Sequence, residues 1–222
     1  MQCGFVELVA ARKIPYYYVR SYHTAKNLVT MISLHPEEVE RLFTVLGIPN
    51  RFTAQEKLGL ATTNLGGQPA DVVSFPTPVQ KSGLNLLRLR ELRGTNPAKQ
   101  PSFFDHPWYL EEDFAREDCS PGWHFLQMNV LPGSIGQSPN YLSSFERGLE
   151  LPSAVEVALM LFLHYAGTGV QLLQKKHTWC RDRASMNRIV TVGAFGRNGL
   201  FVSAHPAEFT SRGLGICAKL TR

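Results

Sequence analysis

The clearest period in the chain is helical. In HPEEVERLFTVLGIP, Val39, Leu42, Phe43 and Leu46 fall on one side of a helix. Pro36 suits the first helical position, Gly47 a helix stop, and Pro49 bars resumption. A second helix is expected at TAQE, where Thr53 can cap and Glu56 can reach back in a capping box. The strongest helix is LPSAVEVALMLFLHYAGTGVQLL. Between Ala154 and Leu163 only Glu156 is polar. A helix apolar almost all round should be a buried central one, ended or loosened at Gly167 and Gly169.

Other stretches alternate with a period of two. Tyr16, Tyr18 and Arg20 suit a strand, and Val72 and Val73 mark a short one in a Gly/Pro-rich loop. In GWHFLQMNVLP, Trp123, Phe125, Gln127 and Asn129 share one face; His124, Leu126, Met128 and Val130 share the other. Leu84–Leu92 is compatible with a strand, Leu87, Leu89 and Leu92 alternating with Arg88 and Arg90, or with a short helix. RGTNPAKQPS reads as linker-like, and HPWYLEEDFARE as a short helix opened by Pro107. HTWCRDR, IVTVGAF, LFVSAH and LGICAKL are four strand-like runs. Val190 and Val192 face one way, as do Leu200 and Val202. In the last run Leu214, Ile216, Ala218 and Leu220 oppose Gly215, Cys217 and Lys219. Helices followed by such strands predict an α+β fold with a small antiparallel sheet.

Composition adds bounds. The chain has 222 residues, 44% of them hydrophobic and 18% charged, which suits a folded domain. The net charge of +5 is scattered over pairs such as Arg12 and Lys13, or Lys175 and Lys176, without a nucleic-acid-binding motif. Nucleic acid is therefore not the expected partner. No run of about 18 apolar residues predicts a membrane span, and the N-terminal residues lack the pattern of a secretory signal, so the default expectation is the cytoplasm.

Candidate chemistry is sparse. Cys3, Cys119, Cys180 and Cys217 form no CxxC pair, so buried thiols are expected. His177 and Cys180, or His106, Cys119 and His124, lack the paired spacing of structural zinc. Cys180 or Cys217 could pair with His164, His177 or His205 for nucleophilic catalysis. There is no GxSxG, no phosphate-binding loop and no dinucleotide fingerprint.

A resemblance gives the last segment more meaning. LHYAGTGVQLL, then TW with its strand, VTVGAF, GLFVS and LGI resemble the variable proteins of diversity-generating retroelements. WYLEEDFARE and PGWHFLQMNVLPGS are similar to the upstream part of that pattern. The resemblance covers about residues 106–222; residues 1–105 carry none and would be either a separate part or integral to the same fold. It implies a C-type lectin fold of the formylglycine-generating-enzyme-like subtype, with a variable region at about 190–222 that is diversified by adenine-directed mutagenesis. Val192, Gly193, Phe195, Gly199, Leu200, Val202, Leu214, Gly215 and Ile216 would hold the framework. The ligand face would comprise Ala194, Gly196, Arg197, Phe201, Ser203, Ala204 and His205, continued by Ala207, Glu208, Phe209, Thr210, Ser211 and Arg212. Phe209 and Arg212 are the expected affinity anchors. The expected ligand is variable and a protein. Calcium is not expected, because Glu208 is the only carboxylate of the loop, and neither is another metal or a cofactor. The alternatives are an oxidase on the same fold using its cysteines, and a basic nucleic-acid-binding protein.

Overall fold

The computed structural model describes residues 32–63, 65, 69, 71–79, 83–144 and 148–221. Among them the chain is a mixed α+β fold of four α-helices and two small sheets. The helices are α1 (Pro36–Leu46), α2 (Ala54–Ala61), α3 (Leu86–Arg93) and α4 (Ala154–Thr168). One sheet has the order β1-β2-β3-β9-β4, built from β1 (Ile32–Ser33), β2 (Val72–Thr77), β3 (Gly122–Gln127), β4 (Leu149–Glu150) and β9 (Lys219–Leu220). The other has the order β7-β6-β5-β8, from β5 (His177–Ala184), β6 (Arg188–Gly196), β7 (Gly199–His205) and β8 (Leu214–Gly215). The strand expected at Tyr16–Arg20 lies outside the described residues.

The elements form where local chemistry permits. In α1 the predicted stripe of Val39, Leu42, Phe43 and Leu46 is buried, and Gly47 closes the helix at φ 73°. The capping box of Thr53 and Glu56 is present at α2. Helix α4 carries a second box, in which the Ser153 hydroxyl accepts from the Glu156 N–H and the Glu156 carboxylate accepts from the Ser153 N–H. It is buried from Ala154 to His164, runs through Gly167 and ends at Gly169. One main core joins α1, α3, β2, α4 and the inner side of β5, β6 and β7, running from Leu34 to Cys217. A smaller cluster of Trp179, Ile189, Leu214, Ile216 and Ala218 lies on the other side of the second sheet.

Residues 84–92, compatible with a strand or a short helix, hold helix α3: Asn85 caps it, and Leu86 and Leu89, three apart, are buried. Three expectations need correction. HPWYLEEDFARE makes two short 3₁₀ turns, Pro107–Tyr109 and Asp113–Arg116, in place of a helix. The run from Leu214 to Leu220 is no single strand. It breaks into β8 and β9, which belong to different sheets, and Ile216, Cys217 and Ala218 between them are all buried. The second sheet is also not purely antiparallel, since β8 pairs with β5 in parallel.

The buried carboxylate of α4, Glu156, joins the sheet to the helix. Its Oε1 accepts from Lys219 Nζ at 2.6 Å, and His124 Nδ1 lies 2.9 Å away. His124 Nε2 in turn lies 2.9 Å from both the Ser120 carbonyl and Thr77 Oγ1. Desolvation alone would raise the Glu156 pKa. His124, Lys219 and the Ser153 N–H outweigh it and hold the carboxyl well below its usual range. The folded pKa therefore lies below the unfolded one. The stabilisation is complete above the unfolded value near 4.5 and is lost as pH falls through the folded value. Nearby, Asp182 accepts from the Ala154 N–H at 2.6 Å, and burial pushes its carboxyl up to about 6.

Replacing Glu156 by Ala leaves the Lys219 ammonium partly buried and unpaired. Urea titration should show a loss of about 3–5 kcal/mol at neutral pH. The difference between variant and parent should shrink as the pH is taken below 4.5.

Candidate ligand-binding face

Strand pairing sets one side of the second sheet apart. Trp179 pairs with Thr191 and Thr191 with Ser203; His177 pairs with Gly193 and Gly193 with Phe201; Ile189 pairs with His205. These residues share the side facing away from the main core, because Val190, Val192, Leu200 and Val202 occupy the other. Phe201 is half-buried. Its ring stacks on Phe104 at 3.8 Å and meets His106 and His177 edge-on at 6.5 and 6.3 Å. His205 stacks on Phe209 at 4.2 Å and stands perpendicular to Trp179 at 6.4 Å. Phe209 remains 39% exposed.

The thirteen predicted face residues do not all meet. Arg197 is exposed at the β6–β7 hairpin, and Glu208, Phe209, Thr210, Ser211 and Arg212 are exposed along the loop after β7. Phe201, Ser203 and His205 occupy the outer side of β7, half-exposed. Ala204 does not: it pairs with Val190 and packs against the main core, as the alternation of a strand requires. Ala207 packs on the Trp179 cluster and serves as a foot of the loop. Ala194 and Gly196 sit at an irregularity in the β6–β7 ladder, half-buried, and Ala194 has φ 43°. Phe104, His106 and His177 join the face although the sequence did not assign them to it: His106 and His177 enter the sequence reading only for metal binding or catalysis. Phe104 and His106 border a segment read as linker, and only a second aromatic run, FFDH, hinted at them.

Three framework glycines are sterically locked. A Cβ on Gly193 would lie 2.2 Å from the Lys176 carbonyl oxygen, and one on Gly199 would lie 2.6 Å from the Phe103 carbonyl carbon. At Gly215 it would lie 3.0 Å from Ser134 Oγ and Val130 Cβ. Gly196, among the predicted face positions, differs: the nearest atom to a Cβ there is the Ala194 carbonyl oxygen at 3.9 Å. The neighbouring anchor Phe195 is fully buried against Phe162 and Tyr165.

The surrounding chain grips this segment by its main chain. The Ala194 N–H donates to the Lys176 carbonyl, Gln171 Nε2 to that of Gly196, and Gln100 Nε2 to that of Arg197. The Phe104 N–H donates to the Leu200 carbonyl, and Trp108 Nε1 to that of Val202. Among the described residues, the thirteen face side chains make one hydrogen bond, from the Gly213 N–H to Ser211 Oγ.

Titratable groups are few. Desolvation, then the neighbouring His205, lowers the His177 pKa to about 4, and His205 is itself lowered by desolvation and then Arg188. His177 Nδ1 and Thr191 Oγ1 are buried without a hydrogen-bond partner among the described residues. Cys119, Cys180 and Cys217 are free and buried. Burial pushes the Cys180 thiol well up and that of Cys217 to about 12. Cys119 Sγ lies 3.8 Å from His124 Nε2, but that nitrogen faces a carbonyl oxygen and a hydroxyl at 2.9 Å, so no base is aimed at the thiol. No three His, Cys, Asp or Glu side chains converge as a metal site, and no helix is long and apolar enough to cross a membrane, among the described residues. Comparisons with protein-family models, with curated proteins and with solved structures returned no match.

The glycines allow a direct check. Gly193→Ala should cost at least about 2 kcal/mol in a denaturant titration, through both its clash and its positive φ. Gly196→Ser should stay within about 0.5 kcal/mol of the parent.

Proposed function

We propose that this chain is a ligand-binding display protein on a C-type lectin fold, whose region of about residues 190–222 is diversified by a retroelement through adenine mutagenesis. One observation carries the reading. The surrounding chain holds the segment through peptide groups, while its outward side chains make almost no hydrogen bonds among the described residues. Such a backbone keeps its shape whatever side chains it bears. The locked glycines and the buried Val192, Phe195, Leu200 and Val202 support the same division between framework and display.

On this reading Phe201, Ser203, His205, Phe209 and Arg212 contact the ligand. Aromatic and arginine side chains supply large contact area and directional polar contacts. His205 and Phe209 are already stacked, so little ordering remains to be done on binding. The oxidase alternative draws no support from the geometry, because burial disfavours the thiolate at Cys180 and Cys217.

The genetic test is to sequence the DNA around the gene. A nearby copy of the coding bases for the variable region, differing only at adenines and beside a reverse-transcriptase gene, is the expected result. Its absence returns the loop to an ordinary surface connection. In the protein, Phe209→Ala should leave the melting temperature within about 2 °C of the parent. A loss of several kcal/mol instead would make Phe209 a packing residue and end the display reading.

A further inference from the structure

Cations scattered along the sequence converge at one end of the second sheet. That end is where β5, β7 and β8 begin and β6 finishes. Lys175 and Lys176 lead into β5, Arg197 sits at the β6–β7 hairpin, and Arg212 precedes β8. Lys99 reaches the same end beyond β7, because the adjacent Gln100 donates to the Arg197 carbonyl. Lys176 accepts from the Ala194 N–H, and a Cβ on Gly213 would lie 3.2 Å from the Lys175 carbonyl oxygen. The order across the sheet is therefore Lys99, Arg197, the Lys175–Lys176 pair, then Arg212.

The segments that supply this row bring no counter-charge of their own. Segments 94–100, 171–177, 193–199 and 209–215, which supply it, contain no Asp or Glu. Lys99, Lys175, Arg197 and Arg212 are exposed, and their side chains make no ion pair or hydrogen bond among the described residues. Lys176 Nζ donates to Asn129 at 3.1 Å; the carboxylate of an adjoining element is Asp71, whose carbonyl accepts from Met128. At the opposite end of the sheet one cation has a carboxylate partner: Arg188 lies 3.7 Å from Glu112, which also accepts from Ser185.

We propose that this row is a docking site for an extended, acidic segment of a partner protein, lying beside the half-buried ring of Phe201. The inference deepens the display reading and rests on it for Arg197 and Arg212; Lys99, Lys175 and Lys176 lie outside the variable region and bias every variant toward acidic ligands. Three observations favour a peptide over nucleic acid. Four strands span about 14 Å, the reach of four or five extended residues. Phe201, the aromatic ring next to the row, has one face already covered by Phe104. The exposed carboxylate of Glu208, on the loop after β7, opposes a continuing phosphate backbone.

The test uses the full chain and three fluorescent probes: an octapeptide of alternating Glu and Ser, its Lys/Ser counterpart and the oligonucleotide dT8. Anisotropy titrations are run at about 50 mM and about 300 mM salt. The Glu peptide should bind, the Lys peptide should not, and the higher salt should weaken binding about tenfold. K99E/K175E should also weaken it at least about tenfold with an unchanged melting temperature, as exposed charges allow. R197E/R212E should act alike. Equal binding of the two peptides, no binding of the Glu peptide, tighter binding of dT8, or no effect of K99E/K175E overturns the proposal. Phe209→Ala separates the two readings: if it unfolds the chain, the display reading fails, while the response of the other variants to the Glu peptide still decides this one.

Discussion

A charge buried in the first turn of an apolar helix is costly unless every lone pair is met. Glu156 meets that condition through His124 on β3, Lys219 on β9 and the Ser153 N–H at its own helix start. The three partners come from separate parts of the chain, so α4 must sit at one depth and one rotation against the first sheet. Asp182 of β5 holds the first turn of the same helix from the side of the second sheet. The helix is thereby fixed between both sheets by polar contacts, and the apolar core fills in around that register. Without it, a helix apolar on every side has many nearly equivalent rotations.

How much of this was legible in the sequence depended on range. The stripe of α1, the Thr53–Glu56 box and the burial of α4 rest on neighbours within one helical turn, and they appear as expected. The partners of Glu156 lie 32 and 63 positions away, and no local pattern marks them. Residues 84–92 were ambiguous because eight residues hold barely two helical turns; Asn85, able to cap, was the overlooked signal. The alternation of Leu214–Leu220 was real as a pattern but not as a strand, since both sides of that stretch are buried between two sheets. A period of two reports exposure on one side, and here neither side is exposed.

The candidate face was legible in part. Val192, Phe195, Leu200 and Val202 are buried and, as strand alternation requires, Phe201, Ser203 and His205 of β7 point outward. Ala204 and Ala207 were assigned to the face by position in the chain, whereas the ladder and the loop's foot turn them inward. Phe104 was missed because a proline-rich segment reads as linker, while its backbone pairs with the edge of β7. The linker-like stretch is the rim of the sheet.

Ala194 adds a restriction of its own. Its φ of 43° lies in the left-handed region, and its N–H is fixed by the Lys176 carbonyl. Glycine, asparagine and aspartate enter that region at little cost, and β-branched residues do so rarely. Chirality thus filters the alphabet at this one place before any ligand does. At Arg197, three residues on, the hairpin imposes no such filter. On the proposed reading, diversity along the segment would be uneven, and the combinatorial space that folds would be smaller than the number of outward positions suggests.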